Sequence, residues 1–352
     1  MSLHIALDAM GGDRGPDEVV SGAIQAVKET DLNVTLFGDE QQIQAALSKY
    51  SRHLDRIHIV HTSQVVDMDE QPFDAVRKKK DSSIMRAFAL HKEGKVDAVV
   101  SAGNSGATMA AAIKYLGRLE KVSRPGIAGI YPTLKGPVVM MDVGANVDCR
   151  PQHLFQFGIM ASAFSSVLFG VENPRIGLLS IGEEGGKGNV LVKKSHELFQ
   201  KSSLNYIGNV EGRDTFIGNV DVIVCDGFVG NVCLKLSEGL AEAVLAMLGG
   251  EIAKSFKAKI GYLLAKEAFD SLKKKVDYAE YGGAPLLGLN GVGIICHGRS
   301  NARAIKNAIK VAAELVRNHV NERILHLLNL SDHENLTQEQ PVSETTPSGV
   351  AQ

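Results

Sequence analysis

The chain has little of what most specialised protein classes need. Its 352 residues include only four cysteines, Cys149, Cys225, Cys233 and Cys296, widely spaced and with no CxxC pair. That usage excludes a disulfide framework and the usual zinc spacings. No apolar run approaches the roughly 18 to 20 residues of a transmembrane helix, and no signal-peptide pattern stands ahead of Leu3-His-Ile-Ala-Leu7. A reducing cytoplasm is therefore the expected setting, with any membrane contact made from the surface. The formal net charge is only -2, and without RNA-recognition or zinc-finger patterns no nucleic-acid partner is expected. Hydrophobic residues at 44% and charged residues at 22% describe an ordinary globular chain, whose length allows two domains or one bilobed unit.

What is present is a repeating strand and helix pattern. Strand-like runs near 3–8, 32–37, 57–61, 96–100, 126–131, 137–143, 175–181 and 220–225 alternate with helical patterns near 16–29, 40–49, 82–93, 104–117, 152–169 and 189–202. Buried Val/Ile/Leu strands in βα alternation predict an α/β fold with a Rossmann-like, mainly parallel sheet. Pro132-Thr-Leu-Lys-Gly-Pro137 breaks the rhythm and predicts a hairpin. From Gly227 to about Tyr278 the chain reads as largely helical, and a short strand near 292–296 leads into a final helix capped by Ser300. Beyond Ser331 the polar composition predicts a disordered tail over 331–352.

Three glycine-rich polar loops follow strand-like runs: Ser101-Ala-Gly-Asn-Ser-Gly106, Ser180-Ile-Gly-Glu-Glu-Gly-Gly-Lys-Gly-Asn189 and Asp226-Gly-Phe-Val-Gly-Asn231. Such loops bring backbone N–H groups close to an anion, and a following helix adds the positive end of its dipole. Phosphate is the anion they suit best.

With Leu7-Asp-Ala-Met-Gly-Gly-Asp13, Met141-Asp-Val-Gly-Ala-Asn-Val-Asp148 and Ile295-Cys-His-Gly-Arg-Ser300, these loops form an ordered set. The set resembles the bacterial acyl-ACP:phosphate acyltransferases of phospholipid synthesis, the PlsX family, over roughly 1–330. Ser105 is a departure, standing where the family more often carries threonine. The resemblance implies an architecture similar to isocitrate and isopropylmalate dehydrogenases and a homodimer. It also implies reversible transfer of a fatty acyl group from acyl carrier protein to inorganic phosphate. The product, acyl phosphate, would then feed glycerol-3-phosphate acylation at the inner face of the cytoplasmic membrane.

The residues suit that chemistry. Attack of phosphate on a thioester depends on positioning and on donors for the developing oxyanion, while a strong base is optional. Lys187 is the first choice for holding phosphate, with Gly186 and Gly188 beside it. Asn231, next to Gly230, is the donor to phosphate or to the thioester oxygen. An exposed loop lysine and a helix-capping asparagine are the plain alternatives. Gly103, Asn104, Ser105 and Gly106 offer donors at a helix start, where simple capping is the competing role. Asp8, Asp142 and Asn146 belong to a polar set at strand ends that also includes Asp13 and Asp148. Turn chemistry explains this set better than a metal, so neither metal nor other cofactor is expected. His297 is placed to shuttle a proton and Arg299 to bind an anion, against a structural histidine as the alternative. Cys225 and Cys296 read as buried, inert thiols.

Seven lysines crowd Lys254–Lys275, among them Lys254, Lys257, Lys259 and Lys266, while Phe256, Ile260 and Leu263 recur near helical spacing. This basic helical region, 250–278, fits an acidic carrier protein or anionic headgroups. The alternative is internal packing of its apolar face. Arg77-Lys-Lys-Lys80 is a second basic run, read as preceding a helix. The competing functions are a phosphotransacetylase-like enzyme using acyl-CoA and a non-catalytic membrane-associated scaffold for lipid enzymes. A dehydrogenase is disfavoured because Gly11-Gly-Asp-Arg-Gly15 lacks the GxGxxG spacing.

Overall fold

Near-continuous runs of valine, isoleucine and leucine form strands that are buried on both faces, and these assemble into one sheet. In the computed structural model the described residues are 2–276 and 280–338, and their sheet has eleven strands. In chain order these are β1 (His4–Asp8), β2 (Asn33–Gly38), β3 (Ile57–His61), β4 (Ala98–Ser101), β5 (Gly126–Pro132), β6 (Pro137–Met141), β7 (Ile176–Leu179), β8 (Tyr206–Val210), β9 (Val222–Val224), β10 (Ala284–Leu287) and β11 (Val292–Ile295). Their spatial order is β3-β2-β1-β4-β11-β10-β5-β6-β9-β7-β8.

The sheet contains two parallel blocks that run in opposite directions. β3, β2, β1, β4 and β11 are parallel to one another. β10 is antiparallel to both β11 and β5, and β5 is antiparallel to β6 in the expected hairpin. β6, β9, β7 and β8 then form the second parallel block. Because the direction reverses, the carboxyl ends of β1, β4 and β11 lie at one sheet edge, and those of β6, β9 and β7 at the other.

Helices cover both faces. α1 (Gly15–Glu29), α2 (Glu40–Leu47), α3 (Pro72–Lys78), α4 (Ser83–Lys92), α5 (Ser105–Leu116), α6 (Pro151–Phe169) and α7 (Val190–Gln200) alternate with the strands. On one face Val20, Ala23 and Val27 of α1, Phe157 and Phe164 of α6, and Ile305, Ile309 and Ala312 join one core. On the other, Met85 and Phe88 of α4 and Ala107 and Ala111 of α5 join a second core. Truncating a buried phenylalanine such as Phe157 costs about 3–5 kcal/mol, which shows how strongly α6 is tied to the sheet.

The carboxyl-terminal third holds α8 (Gly227–Lys254), α9 (Phe256–Leu264), α10 (Lys266–Val276), α11 (Ala302–Arg317) and α12 (Val320–Gln338). The helical stretch expected after Gly227 is present. Asn301 rather than Ser300 caps α11, its Oδ1 accepting from the Ala304 N–H at 3.0 Å. Ser300 is instead buried, with its N–H donating to the His297 carbonyl. α12 runs through the first residues of the expected tail, and 339–352 lie outside the described residues, as do 277–279 at the end of the basic region. The run Arg77–Lys80 lies at the end of α3, where Lys78 pairs with Asp74 and Lys79 with Glu70.

Candidate active site

Asp142, immediately after β6, organises the turn at the edge of the second block. Its Oδ1 accepts from the N–H groups of Ile127, Gly144 and Ala145 at 3.1, 3.2 and 3.0 Å. Its Oδ2 accepts from the Asn146 N–H at 2.6 Å and from Asn146 Nδ2 at 2.9 Å. The side chain is fully buried. Burial pushes its carboxyl above the ordinary value, while these N–H donors pull the other way. The Asp142 turn fixes the start of α8, because the Gly227 N–H donates to the Asn146 carbonyl at 2.7 Å. A Cβ at Gly230 would sit 1.9 Å from the Asp142 carbonyl oxygen. Only glycine lets the helix approach the turn so closely.

That approach sets Asn231 against Gly144, where an added Cβ would meet Asn231 Cγ at 3.5 Å. Asn231 does not cap α8. Asp226 does, its Oδ1 accepting from the Phe228 and Val229 N–H groups at 3.0 Å each. The Asn231 amide is half-buried and makes no hydrogen bond among the described residues. It is therefore a preset donor and acceptor beside a rigid turn.

Lys187 lies on the loop after β7. In the sheet β9 stands between β6 and β7, so the Asp142, Asn231 and Lys187 loops leave adjacent parallel strands at one edge. Strands pair at about 4.8 Å spacing, and ligands in α/β sheets bind outside carboxyl ends of this kind. Lys187 is exposed, and its N–H donates to the Glu184 carbonyl at 2.9 Å. Asn209 Nδ2 donates to that same carbonyl, also at 2.9 Å. Gly188 holds φ at +98°, in the left-handed region. The N–H groups of Gly186 and Gly188 donate to no acceptor among the described residues. Glu183 turns to Arg213 at 3.3 Å. Asn189 caps α7, its Oδ1 accepting from the Val192 N–H at 2.9 Å.

The other candidates gather at the opposite edge. Asp8, at the end of β1, accepts from the Met10 and Gly11 N–H groups and from Ser101 Oγ at 2.7 Å. Burial raises its carboxyl. Gly103 packs against Asp8, and the Asp13 N–H donates to the Gly298 carbonyl. The Asn104 amide is fully committed: Nδ2 donates to the carbonyls of Asp67, Met68 and Glu70, and Oδ1 caps α5 through the Ala107 N–H. Its work is to hold the 67–70 loop. Ser105 is exposed at the start of α5, and Gly106 packs against Pro72. His297 and Arg299 are exposed after β11, and His297 Nδ1 accepts from the Arg299 N–H at 3.1 Å. They act electrostatically on Glu238 of α8, a carboxyl that burial nevertheless raises. Glu238 is eleven residues beyond Gly227, about 17 Å along the helix. α8 thus links the two edges.

Among the described residues no three His, Cys, Asp or Glu side chains gather as a metal site. The thiols are poor nucleophiles. Burial raises Cys225 well above its ordinary value and pushes Cys296 up to about 12.

Residues 3–323 match the family model described as fatty acid synthesis protein. A phosphate acyltransferase from Geotalea uraniireducens is 57% identical over 327 residues, covering 93% of this chain and 94% of its own length. The chain belongs to the phosphate acyltransferase family. Another member, from Nitratidesulfovibrio vulgaris, is 53% identical over 328 residues and covers 93% of this chain and 95% of its own length. Solved structures show the same fold at greater distance. A phosphotransacetylase from Streptococcus pyogenes superposes with TM-score 0.61 at 18% identity, covering 90% of this chain and 94% of that one. A 4-hydroxythreonine-4-phosphate dehydrogenase from Klebsiella pneumoniae gives 0.51 at 15% identity, covering 90% and 100%. A family built on this architecture matches the mainly parallel α/β sheet expected from the sequence, apart from the reversed second block.

Proposed function

We propose that the 1–330 unit transfers a fatty acyl group from acyl carrier protein to inorganic phosphate, reversibly. The observation that carries this reading is the uncommitted Asn231 amide, pressed against the Asp142 turn and next in the sheet to the Lys187 loop. Phosphate is held by Lys187 and the Gly186 and Gly188 N–H groups. One phosphate oxygen attacks the thioester carbonyl, Asn231 donates to the developing oxyanion, and the C–S bond breaks to release the carrier thiolate, which takes up a proton from solvent. Acyl phosphate remains. Preorganised donors supply the main effect, because phosphate near neutral pH already has a competent nucleophilic oxygen. Asp142 and Gly230 position Asn231 without touching substrate, and the Nδ2 of Asn146 braces the same turn through Asp142. His297 and Arg299, at the other edge, meet the donor during docking.

Beyond its first turns α8 leaves the sheet: Gly227 and Gly230 are its buried residues, and Val232, Leu236, Leu240, Val244 and Met247 repeat along an exposed stripe. A second copy of the chain covers that stripe in a homodimer. α9 buries none of its side chains, so internal packing of Phe256, Ile260 and Leu263 is not what this face does within one copy. With Lys254, Lys257, Lys259 and Lys266 it meets the acidic carrier and the anionic inner face of the cytoplasmic membrane, from which acyl phosphate passes to glycerol-3-phosphate acyltransferase. No described helix is long and apolar enough to cross a membrane.

The test is acyl phosphate formation, trapped as hydroxamate, from phosphate and either acyl carrier protein or acyl-CoA. The expected result is a clear preference for the carrier. Faster turnover of acyl-CoA would favour a phosphotransacetylase, and liposome binding without product a scaffold.

A further inference from the structure

A cavity of about 310 Å3 opens beside the Asp142 turn, and the phosphate site described above makes no use of it. Met109 and Ile113 line it from α5, Arg118 and Arg124 from the loop that leads into β5, and Asn146 from the turn. It lies on the same sheet edge as Asn231, since Asn146 and Gly144 belong to one Asp142-held turn.

The cavity has three distinct chemical surfaces. Arg118 donates to the Ser123 carbonyl, and Arg124 Nη1 to the Asp148 carbonyl at 2.9 Å. Both guanidiniums are thus anchored by neutral oxygens, and neither pairs with a carboxylate among the described residues. Two uncompensated planar cations with spare N–H donors form a phosphate-recognition pair. The Arg124 charge is felt nearby: burial first, then Arg124 and Arg150, push His153 below its ordinary value. Met109 and Ile113 supply an apolar wall, with Ile113 42% exposed. Asn146 Nδ2 is engaged by the Pro125 carbonyl and by Asp142, while its Oδ1 accepts from no donor among the described residues. The space is several times what inorganic phosphate alone fills, so the anion that fits carries an aliphatic, amide-bearing stem.

We propose that this cavity seats the phosphopantetheine arm of the acyl donor, its phosphate on Arg118 and Arg124, its dimethyl carbon along Met109 and Ile113, and an amide N–H on Asn146 Oδ1. The arm then runs past the turn and delivers the thioester to Asn231. This deepens the acyl-transfer reading and rests on it.

Kinetics with two small donors test the idea in the full-length enzyme: acyl-4′-phosphopantetheine and acyl-pantetheine, which lacks the phosphate. In Arg118→Ala and Arg124→Ala, kcat/KM for the phosphorylated donor should fall by about 30-fold each, through KM, while acyl-pantetheine and the KM for inorganic phosphate stay within about threefold of the unmodified enzyme. In the unmodified enzyme, free 4′-phosphopantetheine should compete with the donor and pantetheine should not, a readout independent of how the variants fold. Equal losses with both donors, a raised KM for inorganic phosphate, or equal inhibition by both free arms would overturn the assignment. Failure of the acyl-transfer reading itself would look different: the unmodified enzyme would then make no acyl phosphate from any donor.

Discussion

Asp142 gathers hydrogen bonds from Ile127, Gly144, Ala145 and Asn146, so one carboxylate shapes the turn against which Asn231 rests. Asp142→Asn keeps the shape but sets an NH2 group against N–H donors. The expected loss is roughly 1–3 kcal/mol of unfolding free energy, read by urea denaturation, with a lower rate because the turn loosens. An unchanged midpoint and an unchanged rate would remove the turn from the mechanism. Lys187 is exposed, so Lys187→Ala should leave the melting temperature nearly unaltered. Its kcat/KM for phosphate should drop by about 100-fold, and a near-normal value would show that the loop amides hold phosphate unaided. Glycine and asparagine at a strand end marked Gly230 and Asn231 in the sequence. The 1.9 Å approach that requires Gly230 is a tertiary fact. Asn104 carried the same local signature, yet its amide is taken up by the 67–70 loop. Residue type at a helix start does not reveal which chain segment will pass beside it.

The principal helices and strands were legible because their apolar periods are long and bounded by glycine, proline or caps. The β5–β6 hairpin was readable from Pro132 to Pro137 for that reason. α3, β8 and β10 left weaker traces. α3 is seven residues and ends in a lysine run, β8 carries a central glycine, and β10 contains Pro285, which pairs with Ile294 of β11. The basic region formed helices as its spacing suggested, and the structure adds that α9 projects without burying a side chain. Its lysines are therefore available to a partner. Reversing Lys257, Lys259 and Lys266 to glutamate should weaken binding of acyl carrier protein by at least about tenfold at low salt, with the difference shrinking as ionic strength rises. Affinity unchanged across a salt series, measured by fluorescence anisotropy, would place the carrier elsewhere.

For the molecule as a whole, strand direction is what the sequence conceals. Every glycine loop singled out follows a strand, and βα alternation alone suggests one row of carboxyl ends. β10 and the β5–β6 hairpin reverse the sheet, so Asp8, Asn104 and His297 fall at one edge and Asp142, Lys187 and Asn231 at the other. α8 bridges them, with Glu238 in the electrostatic field of His297 and Arg299. On the proposed mechanism the second edge carries the chemistry and phosphate itself is the nucleophile, in keeping with the buried, hard-to-ionise thiols of Cys225 and Cys296. The most direct test is a single-turnover experiment without phosphate, with enzyme in excess over acyl carrier protein and free carrier thiol quantified. Direct attack predicts no thiol release until phosphate is added, and no mass change on the enzyme. Stoichiometric release in the absence of phosphate, with an acyl group covalently on the chain, would contradict it.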